Sequence, residues 1–208
     1  DKTDYSTILV GDNGERVILV ARGQSRLEKK IFPFSKLPHS RWVYLSSLEG
    51  NVSLLEKIIF WAKERGSKIA LNPGSRELKE KRRLKALLPL LAVLIVNEEE
   101  ASAFWGRNWR RVIKCSPAKI TVVTLGKKGA CLAAEGRLIE ETIFKTKTVD
   151  ATGAGDAFSV GLIAGLSWRK NLKESLRLAM ITSGLVVGNL GAKTGLPTKE
   201  QLLKLAEK

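Results

Sequence analysis

Short apolar runs alternate with longer stretches of helical periodicity along most of the chain. Thr7-Ile8-Leu9-Val10 and Arg16-Val17-Ile18-Leu19-Val20-Ala21 read as two strands joined by the turn-rich Gly11-Asp12-Asn13-Gly14, a hairpin. Residues 22–40, with Gly23, Pro33 and Pro38, read as a connection. Trp42-Val43-Tyr44-Leu45 is a short apolar strand. Asn51 is placed to cap a helix through Arg65, with apolar positions 54, 55, 58, 59, 61 and 62 at helical spacing and Gly66 as its stop. Lys68-Ile69-Ala70-Leu71 is a buried-type strand ended by Asn72-Pro73-Gly74. Helical pattern covers roughly 76–91, Val93–Val96 is a strand, and Asn97 opens another helix. Ile120–Leu125 is a strand closed by Gly126. Residues 129–134 and 137–143 predict a hairpin about Glu135-Gly136. Helices follow over about 154–167 and 173–188, and Pro197-Thr198 starts a last one.

Short apolar strands separated by helices of ten or more residues predict an α/β fold, a three-layer sandwich around a mostly parallel central sheet. Ligands in such sheets bind beyond the carboxyl ends of the strands. The segments there are Ser46-Ser47-Leu48-Glu49, Asn72-Pro73-Gly74, Asn97-Glu98-Glu99-Glu100, Gly126-Lys127-Lys128-Gly129 and the region of residue 150. Most are rich in Asn, Gly or Glu, as a ligand face requires.

Composition narrows the function classes. The 208 residues are 44% hydrophobic and 27% charged, a foldable mixture. The longest apolar stretch, Leu84–Val96, is broken by Lys85 and Pro89 and falls short of the ~18 residues of a membrane span. Cys115 and Cys131 are too few for a disulfide framework or a four-ligand zinc site, and the single histidine, His39, excludes a His-rich centre. Few cysteines and no secretory signal point to the cytoplasm. The chain opens on Asp1, and its one methionine is Met180, so it reads as a fragment or a processed product. The net charge of +15 admits nucleic-acid binding. The densest basic run, Lys79 to Lys85, has helical spacing and no interleaved aromatic residues for base stacking, so it reads as a solvated face.

The strongest chemical signal is Asp150-Ala151-Thr152-Gly153-Ala154-Gly155-Asp156-Ala157-Phe158. Small residues let backbone approach a ligand closely. The N–H groups of Gly153, Ala154, Gly155 and Asp156 fall in the first turn of the following helix, unpaired within it, and with the helix dipole they make an anion site. An Asp in that first turn, here Asp156, can also face the bound anion and accept a proton from a hydroxyl attacking phosphorus. A glycine-rich turn with Asp156 as a simple helix N-terminal charge fits the same residues. Gly188–Thr194 imitates a phosphate loop but lacks its Gly-Lys pair and follows a helix instead of a strand.

Residues 150–158 resemble the C-terminal signature of the PfkB, or ribokinase-like, carbohydrate kinase family, with Ala151 where threonine is commonest. Asn97-Glu98-Glu99-Glu100 resembles its Asn-x-x-Glu motif, Thr124–Gly129 the strand and turn flanking the nucleotide, and Gly191-Ala192 with Pro197-Thr198 the loop closing over adenine. The resemblance implies an ATP-dependent kinase of a sugar or nucleoside, with Asp156 as general base and residues 153–156 as anion hole. It implies Asn97 and Glu100 holding magnesium and phosphate through water, Thr124, Gly126, Gly129 and Gly191 at the nucleotide, and Glu49 at the sugar. Asp150 and Thr152 match positions that contact a monovalent cation, potassium, in many members. Residues 1–30 resemble part of a small β lid over the sugar, through which two copies could pair, and 31–208 the nucleotide-binding core. The family's N-terminal signature would precede Asp1.

Other readings stay open beside these. Asn97 and Glu100 have the spacing of a helix cap and its capping-box partner, and Gly126 and Gly129 suit an ordinary turn. The +15 charge also suits a phosphosugar acceptor, or a kinase-like fold that binds nucleic acid without catalysis.

Overall fold

The computed structural model describes residues 4–11, 16–21 and 32–207. The expected turn at Asp12-Asn13-Gly14 and residues 22–31 of the expected connection, Gly23 included, lie outside the described residues. The chain divides into two compact units, Glu28–Glu140 and a second made of Asp1–Leu27 with Glu141–Lys208.

In the second unit, β1 (Tyr5–Val10) and β2 (Arg16–Ala21) pair antiparallel from Tyr5↔Ala21 to Val10↔Arg16, as a two-stranded sheet of their own. Leu9, Val17 and Leu19 of this ribbon are exposed.

The first unit is built on a sheet ordered β3 (Trp42–Leu45), β4 (Lys68–Leu71), β5 (Val93–Asn97), β6 (Ile120–Thr124), β7 (Ala130–Ala134), β8 (Arg137–Glu141). Strands β3 to β6 run parallel, and β7 turns back antiparallel on β6. Val93–Val96 are all at most 2% exposed, the continuous apolar burial that parallel strands require. The β7–β8 turn is Glu135-Gly136, with φ of 50° and 75°, the mirror-image turn whose twist suits a two-residue hairpin.

Helices fill the crossovers of this unit. In α1 (Val52–Glu64), Leu54, Leu55, Ile58, Ile59 and Ala62 form one buried stripe. The Asn51 side chain accepts the Leu54 N–H at its start. At its end Ser67 N–H reaches Ala62 O and Gly66 N–H reaches Lys63 O, both at 3.0 Å, closing the last carbonyls.

The single helix expected over about 76–91 is instead broken in two, α2 (Ser75–Lys79) and α3 (Lys81–Leu87), followed by one tight turn at Leu88–Leu90. Glu80 sits at ψ 49°, outside helical geometry. Pro89 has no N–H to continue an α-helix, so the chain leaves through the tight turn. On α3, Lys81, Arg82 and Lys85 are exposed, with Lys81 Nζ donating to Ala103 O at 2.6 Å and Lys85 Nζ 5.8 Å from the Phe104 ring centroid, while Arg83 bonds Glu56 at 2.7 Å.

After β5 come α4 (Glu98–Trp105) and the short α5 (Trp109–Val112), which periodicity did not reveal because it is a single turn. Trp109 and Ile113 bury there.

The second unit also holds α6 (Ala154–Ser167), α7 (Leu172–Val187) and α8 (Lys199–Ala206). Helices α6 and α7 pack backbone to backbone: a Cβ on Gly161 would lie 2.9 Å from Ala179 Cα, and one on Gly165 2.9 Å from Ser175 Cα. Asn171 caps α7 and Thr198 caps α8, each in a reciprocal capping box. Among the described residues no helix is long and apolar enough to cross a membrane.

Candidate active site

Gly153 starts α6 in the left-handed conformation, φ 78° and ψ −1°. The first bond closed at this end runs from Ala157 N–H to Gly153 O at 2.8 Å. The N–H groups of Gly155 and Asp156 therefore have no acceptor within the helix, and Ala154 N–H has only Ala151 O at 3.3 Å. Asp156 is exposed in that first turn. Gly153 is also pressed against the 191–195 loop: a Cβ there would lie 2.5 Å from Ala192 O.

Asp150 ties this loop together. It is 2% exposed. Its Oδ1 accepts from Thr152 N–H at 2.8 Å and Thr152 Oγ1 at 2.6 Å, and its Oδ2 accepts from Gly191 N–H at 3.0 Å. One carboxylate thus sets the peptide entering the α6 start against the loop at Gly191. The donor set is oxygen, which suits a hard cation.

In the other unit, the parallel strands bring the remaining candidates to one sheet edge. Asn97 pairs in register with Thr124 at the ends of β5 and β6. Asn97 Oδ1 accepts the Glu100 N–H and Glu100 Oε2 accepts the Asn97 N–H, both at 2.8 Å, a complete capping box. Burial pushes the Glu100 carboxyl above its ordinary range, the Asn97 N–H opposes this, and the charge of Glu99 adds to it. A carboxylate beside asparagine suits hydrated magnesium, which keeps most of its waters. Gly126 and Gly129 form a closed turn, with Gly129 N–H on Gly126 O at 3.1 Å and Leu125 N–H on Gly129 O at 2.8 Å. Lys128 Nζ lies 3.7 Å from Glu98 Oε2. Asn72, just past the end of β4, donates through Nδ2 to Ile95 O at 2.9 Å and fastens that end to the middle of β5.

Glu49 follows β3 with its side chain 58% exposed, and its Oε2 lies 3.2 Å from Arg76 Nη1. Beneath it lies a residue that sequence reasoning missed. Glu77 is 1% exposed. Burial disfavours its charge, but donated N–H bonds from Gly50, its own backbone and Leu48, with the Ser47 hydroxyl, outweigh that and hold its carboxyl below the ordinary value of 4.5. A carboxyl lowered by folding contributes stability that is complete above about 4.5 and lost as pH falls through the lowered value. In the sequence Glu77 is one charge within a run of charges. Its only mark is the third position after Gly74, that of a capping-box acid.

Candidates in each unit gather locally: Asp150, Thr152, Gly153 to Asp156 and Gly191 in one, and Asn97, Glu100, Thr124, Gly126 and Gly129 in the other, where Glu49 stands apart on the β3 turn. Burial pushes the Cys131 thiol up, and Cys115 is exposed. His39 is exposed, its Nε2 3.0 Å from Arg65 O. Among the described residues no three His, Cys, Asp or Glu side chains gather as a metal cage.

Residues 1–199 match the model of the pfkB family carbohydrate kinase, and the chain belongs to that family. It is 26% identical to the ribokinase of Haemophilus influenzae over 218 residues, covering 100% of this chain and 70% of that protein. Among solved structures, the Burkholderia thailandensis nucleoside kinase in complex with inosine superposes with a TM-score of 0.80 at 17% identity, over 99% of this chain and 68% of that one. The E. coli ribokinase II in complex with ATP and Mg2+ gives 0.81 at 18%, over 97% and 70%. The chain thus spans about two thirds of these relatives' length. The structural likeness establishes the ribokinase-like α/β fold, with its mostly parallel sheet and small antiparallel sheet.

The geometry at the start of α6 separates its two glycines. Gly153→Ala places a side chain in the left-handed region and against the Ala192 carbonyl, and should cost at least about 1–2 kcal/mol. Gly155 has a helical backbone, and a Cβ added there would meet nothing within 4 Å. Gly155→Ala should therefore leave stability unchanged or raised, as alanine is the better helix former. Urea unfolding of the two variants beside the wild type checks both.

Proposed function

We propose that the complete protein transfers the γ-phosphoryl group of ATP to a hydroxyl of a sugar or nucleoside. The start of α6 carries this reading: a left-handed glycine, unpaired N–H groups and an exposed carboxylate share one helical turn. The N–H groups of residues 153–156 would hold the charge that develops on the transferred phosphoryl oxygens. Asp156 would take the proton of the acceptor hydroxyl as its oxygen bonds to phosphorus. The bond from phosphorus to the β,γ-bridging oxygen breaks, and ADP leaves with that electron pair.

Magnesium, when bound, neutralises the triphosphate charge, and Asn97 and Glu100 would hold it through water. Thr124, Gly126, Gly129 and Gly191 would lie along the nucleotide, and Glu49 would contact the acceptor. The β1–β2 ribbon would belong to a lid over the acceptor, with residues from 31 onward forming the core. The names of the relatives support acceptors of the sugar and nucleoside classes. Asp150 and Thr152 would border a potassium ion whose effect reaches the anion hole through the ties to Gly191.

Three measurements on the full-length protein test these roles, with pentoses, hexoses, their phosphates and nucleosides as acceptors. Asp156→Asn keeps the size of the side chain and loses the base. Turnover should fall ~10²–10⁴-fold with ATP affinity nearly intact, and wild-type turnover would sink the assignment.

Glu100→Gln keeps the capping box. Because folding raises the carboxyl of Glu100, its charge at neutral pH opposes folding, and the variant should be as stable as the wild type or slightly more so. Activity should nevertheless drop about tenfold or require more magnesium. Unchanged activity across a magnesium titration would leave Glu100 a helix cap alone.

Replacing potassium by a bulky organic cation at constant ionic strength, with saturating magnesium and ATP, should lower activity. No change would leave Asp150 as a structural tie.

A further inference from the structure

Glu77 is a buried carboxylate that the proposed reaction does not use, and its hydrogen bonds centre on one turn. Its Oε1 accepts from Leu48 N–H at 2.7 Å and Gly50 N–H at 2.9 Å, and Ser47 Oγ lies 3.2 Å from it. Its Oε2 accepts from Ser47 Oγ at 3.0 Å and Gly74 N–H at 3.1 Å. The turn so held is Leu48–Asn51, closed by Asn51 N–H on Leu48 O at 3.0 Å. Its two central residues, Glu49 and Gly50, lie at φ 58° and 83°.

Gly50 meets the need of such a turn, and Glu49 does not, since a side chain with a Cβ rarely adopts that region. No side chain fits at Gly50 either, because a Cβ there would lie 2.9 Å from Arg76 Cβ. Two successive residues of α2 therefore grip the turn: Arg76 from outside, on the Glu49 carboxylate, and Glu77 from beneath, on its N–H groups. An Asn-Gly pair would form the same turn without a buried charge. This sequence instead puts the longer acid at the strained position, on the edge of the sheet where ligands bind.

We infer that Glu77 is the positioning residue for acceptor recognition: its carboxylate holds the Ser47–Asn51 turn so that Glu49 and its partner Arg76 face the acceptor. The inference rests on the reading of Glu49 as an acceptor contact in the proposed kinase.

The test compares wild type, Glu77→Gln and Ser47→Ala as full-length proteins. Glutamine keeps the shape but turns an NH2 group toward the donors, and Ser47→Ala removes one donor to Glu77 together with the oxygen that accepts the Glu49 N–H at 3.2 Å. With acceptor and ATP varied separately, the acceptor KM should rise at least tenfold in Glu77→Gln and about two- to fivefold in Ser47→Ala. The KM for ATP and kcat should stay within about threefold. Amide hydrogen exchange followed by mass spectrometry should be at least tenfold faster across residues 47–51 in Glu77→Gln, with peptides of α6 unchanged. If Glu77→Gln does not fold, Ser47→Ala decides by the same two readouts.

An acceptor KM that does not move in folded variants of an active enzyme overturns the inference. So does a rise in both KM values together, the mark of a merely structural role, or unchanged exchange across 47–51. A wild type inactive toward every acceptor overturns the kinase reading and the inference with it, an outcome distinct from an active enzyme whose acceptor KM is indifferent to Glu77.

Discussion

Parallel pairing is the constraint on which the arrangement of the first unit depends. Strands that run the same way need a crossover between each pair, and every strand then opens on the same edge. Because β3 to β6 are parallel, the turns after Leu45, Leu71, Asn97 and Thr124 share that edge without any side chain having to bring them there. The buried stripe of α1 and the apolar strands supply the cohesion. The caps at Asn51 and Asn97 fix where the chain leaves the sheet and enters a helix. The end of β4 is fastened to β5 as well, by Asn72 on the Ile95 carbonyl.

Two backbone devices in this molecule use the same physics for opposite ends. Around Glu77 the N–H groups of Leu48, Gly50 and Gly74 surround an anion that the protein supplies itself. At the start of α6 the N–H groups of Gly155 and Asp156 have no acceptor in the helix. The first arrangement is complete within the chain. The second has no such partner in the helix, and Asp150 holds its entering peptide and the Gly191 loop in fixed relation.

Much of this was legible in the sequence. The strands after residue 40 follow from their apolar runs, and the starts of α1, α4 and α8 from Asn51, Asn97 and Thr198, since a capping side chain acts on backbone two or three residues away. The α6 start was legible for the same reason: the glycine, the small residues and Asp156 are neighbours in the chain. Glu77 was not, because its partners at Ser47, Leu48 and Gly50 lie 27 to 30 residues upstream and nothing in an acidic side chain announces that it will be buried. The break at Glu80 was hidden too. Leu78 and Leu84 continue a helical pattern, whereas the backbone between them leaves helical geometry at Glu80. The left-handed Glu49 escaped notice because glutamate is not a residue that marks such a turn.

The six-stranded sheet runs β3-β4-β5-β6-β7-β8, so its order in space is its order in the chain. Each strand lies beside the one made just before it. Among the described residues no strand is inserted between two neighbours of this sheet. A chain emerging from its amino end can extend the sheet by one strand at a time, each addition closing a loop of only one crossover or hairpin. Each pairing among the described strands β3 to β8 therefore closes only the loop between consecutive strands, and its closure entropy stays low.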